Sequence, residues 1–120
     1  MRKVLLSIAV LAVGVSVIAA NAFGGSSDST LAGSVGPGFT ISLKQGGKNV
    51  KSLKKGTYTL SVNDKTSAHN FVLEGPGVER QVTTVPGTGK KTVKVKLRAG
   101  KYKFYCAPHE SSMFGFVTVK

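Results

Sequence analysis

Short alternating runs of apolar and polar residues dominate the chain after residue 38. Apolar positions recur at every second residue, as in Tyr58, Leu60 and Val62, between turns marked by Gly, Pro or Asn. Residues two apart lie on the same face of a strand, so each run predicts a strand with one buried face. The predicted strands cover residues 39–43, 57–62, 70–73, 81–85, 92–97, 102–106 and 114–119. About seven to eight short strands without an internal repeat or a βαβ pattern predict an all-β fold, an antiparallel sandwich or barrel.

The N-terminal segment has a different composition. Residues 1–22 contain a basic start, an apolar stretch and Ala20-Asn21-Ala22, which is a small-x-small cleavage site typical of a secretory signal peptide. The alternative is an uncleaved membrane anchor, because the apolar stretch is close to the minimum length of a spanning helix. We therefore expect an exported protein that is periplasmic, extracellular or at the cell surface, and membrane-tethered only if the signal is retained.

Residues 23–38 are rich in Gly and Ser and poor in apolar residues. Such a composition is typical of a flexible tether. The sequence thus predicts one folded domain over residues 39–120, a length that suits a single hydrophobic core.

The chain is strongly basic, with 17 Lys and Arg against 5 Asp and Glu and a formal net charge of +12, of which Arg2 and Lys3 belong to the signal segment. The positive electrostatic field of such a protein increases the rate at which acidic partners associate with it. No base-reading or base-stacking motif accompanies the charge, so we expect no nucleic-acid partner. Alternating lysines such as Lys94 and Lys96 are equally typical of a solvated sheet face that resists edge pairing, and this simpler interpretation stays open.

Apart from Met1, the soft and borderline metal-ligand residues form one small set. They are His69, Cys106, His109 and Met113, and three of the four lie in the short segment 106–113. A thiolate with two imidazoles and a weak axial thioether is the ligand set of a blue copper electron-transfer site. Zinc also binds Cys and His, although structural zinc sites more often use two or more cysteines.

The single cysteine cannot form an internal disulfide, which is unusual in an exported protein. A metal bond would occupy the thiol; intermolecular pairing and an inert buried cysteine are the alternatives. Strand alternation places Tyr102, Phe104 and Cys106 on one face, so Cys106 should point inward at the end of its strand. Pro108 then stiffens the turn that leads to His109.

At these residues the sequence resembles the cupredoxins, small blue copper proteins such as plastocyanin, pseudoazurin and amicyanin. The resemblance covers about residues 39–120, and its motifs are Ala68-His69-Asn70-Phe71, the strand 100–106, the turn Cys106-Ala107-Pro108-His109, and Met113 followed by Gly115. It implies a Greek-key β-sandwich or barrel and one type 1 copper ion.

The resemblance also implies a role for each matching residue. His69, Cys106, His109 and Met113 would be the copper ligands, and Asn70 would tie the two ligand loops together. One departure concerns the gap between His109 and Met113, which is three residues here and two or four in the relatives named. The alternative for Met113 is a core methionine that fills a gap.

No constellation of acidic or nucleophilic residues is spaced for catalysis, so the sequence predicts a protein that is not an enzyme. The expected function is one-electron transfer by Cu(II)/Cu(I) cycling; the alternative is a copper carrier or buffer that delivers metal to another exported protein. A third hypothesis, binding to an anionic polymer, depends on charge alone. We expect a monomer whose redox partners have acidic docking surfaces that meet apolar residues around His109, namely Ala107, Pro108 and Phe114.

Overall fold

Strands account for every regular element longer than one turn in residues 29–120, the part of the chain that the computed structural model describes. The predicted signal segment, residues 1–22, lies outside the described residues. The strands are β1 (Thr30–Val35), β2 (Ile41–Gln45), β3 (Lys48–Asn49), β4 (Ser52–Leu53), β5 (Gly56–Asp64), β6 (Val72–Gly75), β7 (Val78–Gln81), β8 (Gly89–Leu97), β9 (Gly100–Tyr105) and β10 (Phe114–Val119). A single 3₁₀ turn, Ala107–His109, is the one helical element of this region.

The strands form two five-stranded sheets. Sheet A has the order β3-β2-β1-β5-β8 and sheet B the order β4-β10-β9-β6-β7. The predicted all-β fold is confirmed, and of the two predicted forms, sandwich or barrel, the two sheets form a sandwich. The ten strands exceed the seven to eight predicted, because β1 lies in the predicted tether and β3 and β4 have only two residues each. The pairing is not purely antiparallel, however, because β1 pairs with β5 and β4 with β10 in parallel. Two parallel strands can be neighbours only if a long stretch of chain connects them. Here three strands separate β1 from β5 in sequence, and five separate β4 from β10.

The core lies between the two sheets and contains the residues that alternation placed there. Tyr58, Leu60 and Val62 of β5 are all buried, and so are Tyr102 and Phe104 of β9. Their neighbours in sequence face outward and are more exposed. The two-residue period therefore identified the buried face of both strands correctly. No helix of membrane-spanning length and apolarity occurs among residues 29–120.

The predicted tether is wrong for residues 30–35, which form β1 in the middle of sheet A. Leu31 and Val35 are fully buried. A Cβ atom on Gly33 would lie 2.8 Å from Val62 Cγ2, so the small residue allows a close approach to the core. Gly33 here reflects tight packing rather than flexibility. Residues 23–28 of the predicted tether lie outside the described part of the chain.

The predicted strand 81–85 is also wrong for most of its length, because β7 covers Val78–Gln81 and ends there. Val82 N–H donates to the Phe71 carbonyl oxygen at 2.8 Å, in the register of β6 and β7, but Thr83 N–H turns to the same oxygen at 3.4 Å, so the pairing does not extend further. These bonds hold Phe71, two residues after His69, in place. The first predicted strand likewise begins later, at Ile41, and leaves Phe39 in the preceding turn.

Candidate metal centre

Two connections at one end of the sandwich carry the predicted ligands. His69 lies between β5 and β6, whereas Cys106, His109 and Met113 lie between β9 and β10. β6 pairs with β9 so that Val72 is opposite Tyr105, which brings the loop of His69 beside Cys106. Sheet pairing thus joins ligands that are far apart in sequence.

The Cys106 sulfur and one ring nitrogen from each histidine lie close together. Cys106 Sγ lies 3.7 Å from Nδ1 of His69 and 3.7 Å from Nδ1 of His109, and the two nitrogen atoms are 3.1 Å apart. A point equidistant from these atoms lies about 2.0 Å from each, close to metal–nitrogen bonds of about 2.0–2.1 Å and metal–thiolate bonds of about 2.3 Å. The donors are therefore spaced to hold one metal ion.

Burial differs among the donors. Cys106 is fully buried and His69 is 4% exposed, whereas His109 is only half-buried. The thiolate donor is thus shielded from solvent, and His109 connects the site with the surface.

Backbone hydrogen bonds close the loop that contains the three-residue gap between His109 and Met113. Met113 N–H donates to the His109 carbonyl oxygen at 2.8 Å, and Cys106 N–H donates to the Met113 carbonyl oxygen at 3.0 Å. His109 N–H in turn donates to the Cys106 carbonyl oxygen at 3.0 Å. The three-residue gap therefore forms one closed turn, and the Met113 side chain is fully buried in the core cluster that contains Cys106.

Asn70 links the two connections. Its side-chain Oδ1 accepts a hydrogen bond from Ala107 N–H at 2.8 Å, and Asn70 is 5% exposed. This is the link between the ligand loops that the sequence resemblance implied. Hydrogen bonds of this kind orient metal ligands.

Two further residues at the site were not identified from the sequence. Thr83 Oγ1 accepts a hydrogen bond from Phe71 N–H at 2.9 Å and so fastens the segment that follows Asn70. Phe39 lies against both imidazole rings. The sequence contained no signal for either role, because Thr83 and Phe39 both continued alternating patterns that predicted strands.

The surface around His109 combines apolar and charged groups. Ala107, Pro108 and Phe114 are exposed, as the predicted contact patch requires. On the side of sheet B, Lys103 Nζ and Glu110 Oε1 form a 2.8 Å ion pair. Burial raises the pKa of the Tyr105 phenol, and the Glu74 carboxylate raises that pKa further.

Comparison with known proteins places these features in a family. Residues 38–120 match the family model of copper binding proteins of the plastocyanin/azurin family. A search of curated protein sequences found no significant match.

Solved structures with a similar fold include a rusticyanin variant, with 20% identity, a TM-score of 0.54 and coverage of 76% of each chain. Reduced rusticyanin has 21% identity and a TM-score of 0.51, over 76% of this chain and 78% of the other. A multi-copper oxidase from Pediococcus acidilactici matches at 12% identity and a TM-score of 0.48, over 76% of this chain and 25% of the oxidase. That last likeness is too weak to support an argument.

Two β-sheets with a His-Cys-His donor set at one end define a protein of the cupredoxin class, built for a type 1 copper ion. The chain belongs to the plastocyanin/azurin family of copper-binding proteins.

Proposed function

We propose that this protein is an exported one-electron carrier. The observation that carries the proposal is the fully buried Cys106 thiol, 3.7 Å from both imidazole nitrogen atoms, beside a half-buried His109 that reaches the surface. When bound, copper supplies one-electron chemistry by alternating between Cu(II) and Cu(I). Reduced rusticyanin, a solved structure of similar fold, supports the redox interpretation.

The chain contributes a rigid set of donors. Cys106 directly follows β9, and its backbone N–H is bonded to Met113. The segment after His69 is held by two hydrogen bonds: Asn70 Oδ1 accepts one from Ala107 N–H, and Phe71 N–H donates the other to Thr83 Oγ1. Donors fixed by strands need little movement when the charge of the site changes, which favours rapid electron transfer.

Met113 is the proposed fourth, axial donor. Its complete burial and its backbone bonds to His109 and Cys106 support this assignment. Met113→Leu preserves much of the volume but removes the sulfur. We expect the copper-loaded variant to stay blue, with changed copper hyperfine splitting; an unchanged spectrum would favour a gap-filling role.

The proposed partners are redox proteins with acidic docking surfaces. Within the described residues, the strands of sheet A have no exposed carboxylate, because Asp64 is buried. Their lysines are Lys44, Lys48, Lys90, Lys91, Lys94 and Lys96. The exposed carboxylates of residues 29–120 are Glu74 and Glu79 in sheet B and Glu110 in the loop between β9 and β10. The sheet A lysines would therefore attract an acidic partner to the end of the sandwich that carries His109 and its apolar neighbours Ala107 and Pro108.

We further propose that the protein acts as a monomer and is not an enzyme by itself. The whole chain contains two histidines, both in the same site, so it lacks the additional imidazoles that a second copper centre for oxidase chemistry would need.

The proposal is tested by adding one equivalent of Cu(II) to the protein and recording its visible and electron-paramagnetic-resonance spectra. We expect an intense thiolate-to-copper absorption and narrow hyperfine splitting. Cys106→Ser should lose both, while Ser111→Ala, in the neighbouring exposed turn, should keep them. A Cys106→Ser variant that stays blue, or a colourless native protein, would contradict the proposal.

Copper delivery to another protein is the second candidate function, favoured by the partial exposure of His109, which offers a route for metal exchange. Exchange distinguishes the two functions. An electron carrier should retain its copper through repeated redox cycles, whereas a delivery protein should lose it readily to an acceptor.

A further inference from the structure

Three aromatic rings meet at the exposed side of the metal centre. The ring centroids of Phe39 and His109 are 4.9 Å apart with the planes at 84°, and those of Phe39 and His69 are 5.7 Å apart. The two imidazoles are themselves 4.9 Å apart. Phe39 is nevertheless 66% exposed, so its ring covers the histidines without belonging to the core.

Among residues 29–120, the imidazoles have no hydrogen-bonded support at Nε2. A metal-ligating histidine usually donates its second ring N–H to a carboxylate, carbonyl or water, which sets the orientation of the ring. In residues 29–120, the ring hydrogen-bond contacts of His69 and His109 all involve Nδ1 and lie within the donor set. Neither Nε2 atom has a protein partner among these residues, and Phe39 is the ring that contacts both.

The turn that carries Phe39 is well fastened. Gly36 N–H donates to the Thr40 carbonyl oxygen at 2.8 Å, and the Thr40 hydroxyl donates to the Pro37 carbonyl oxygen at 2.9 Å. A Cβ atom on Gly36 would lie 2.8 Å from Thr66 Cγ2, so the turn packs closely against the segment leading to His69. The exposed ring is therefore presented to the site by a constrained backbone.

We propose that Phe39 is a positioning residue for the copper site. Its ring fixes the orientation of both imidazoles and covers them from water, in the role that a hydrogen-bond acceptor has at other metal sites. The inference rests on the proposed copper function. An apolar cover disfavours the more highly charged Cu(II) state relative to Cu(I), so the ring should raise the reduction potential.

The test compares Phe39→Ala and Phe39→Tyr with the native protein, and uses Phe116→Ala as a matched control. Phe116 is 46% exposed on β10 and packs against Phe114 rather than against a histidine. The first readout is the NMR spectrum of the metal-free protein. Loss of the Phe39 ring current should shift the ring-proton resonances of both histidines.

The second set of readouts uses the copper-loaded protein. For Phe39→Ala we expect a lower reduction potential and roughly 10-fold faster copper release to a chelator, the lower end of effects seen when outer supports of metal ligands are removed. Phe39→Tyr should restore both values. Thermal unfolding of the metal-free variant should change little, because the side chain is mostly exposed.

The outcomes separate this inference from the proposed function. If the native protein is blue but Phe39→Ala matches Phe116→Ala in histidine shifts, potential and copper release, Phe39 has no positioning role. If the native protein forms no blue centre, the proposed function fails. The ring contact is then judged separately: unchanged histidine resonances in metal-free Phe39→Ala would overturn it. Shifted histidine resonances there would support the contact on their own.

Discussion

Replacing Asn70 with Ala tests how the two ligand-bearing connections are held together. The substitution removes the acceptor of the 2.8 Å hydrogen bond from Ala107 N–H. A typical net contribution of such a bond is about 1 kcal/mol, rising to about 3 kcal/mol when the remaining donor is buried without a partner. Ala107 is exposed, so water can reach its N–H, and the lower part of this range applies. We expect the free energy of unfolding of the metal-free protein to fall by about 1–2 kcal/mol.

The effect on copper affinity should be larger than stability alone suggests. Without the bond, the turn that carries His109 must be ordered when the metal binds, and loss of such a support typically lowers metal affinity by about 10- to 100-fold. That corresponds to about 1.4–2.7 kcal/mol. Urea unfolding of the metal-free protein and copper competition against a chelator measure the two effects separately.

Two variants serve as controls for this prediction. Asn70→Asp keeps a side-chain oxygen as acceptor for Ala107 N–H but buries a carboxylate at a 5% exposed position, so it should lose stability while binding copper more tightly than Asn70→Ala. Asn49→Ala removes an exposed amide from β3 and should change neither quantity. If Asn70→Ala loses stability but binds copper within about twofold of the native protein, far below the 10-fold minimum expected, the bond does not organise the metal site and the reasoning is refuted.

Three other predictions follow from packing, linkage and charge. Gly115→Ala would place a Cβ atom in a clash with Phe104 Cζ, so it should destabilise the protein by about 1–3 kcal/mol in urea unfolding. Native-like stability would show that the Phe104 ring moves aside at little cost. Copper at 100 times its dissociation constant should stabilise the fold by about 2.7 kcal/mol and raise Tm by roughly 10–20 °C, and an unchanged Tm would argue against a site formed in the folded state. Lys90→Glu, next to the copper end of β5, should slow oxidation of the reduced protein by anionic hexacyanoferrate and weaken its salt dependence more than Lys54→Glu does at the far end of β5. Equal effects of the two lysine substitutions would indicate that only net charge matters.

Local sequence patterns determined which strand faces are buried and which residues form the metal donor set. The two-residue period of a strand placed Tyr102, Phe104 and Cys106 on a buried face, because successive side chains alternate regardless of which strands pair. The donor set was equally visible, since the chain has one cysteine and two histidines to supply it. A motif resemblance added Asn70 and the type of metal.

Tertiary structure decided the features that depend on neighbours distant in sequence. Residues 30–35 have the composition of a linker, and only their pairing with β2 and β5 makes them the central strand of sheet A. Thr83 lies outside β7 because its N–H donates to the Phe71 carbonyl oxygen and its Oγ1 accepts from Phe71 N–H.

The same holds for the surroundings of the metal centre. Phe39 contacts the histidines through a turn whose position depends on β1, and the uneven distribution of lysines and carboxylates follows from which strands share a sheet. Alternation and residue type are properties of a segment and its side chains, so the sequence reveals them directly. Contacts between segments depend on strand order and register, which are decided when the whole chain packs.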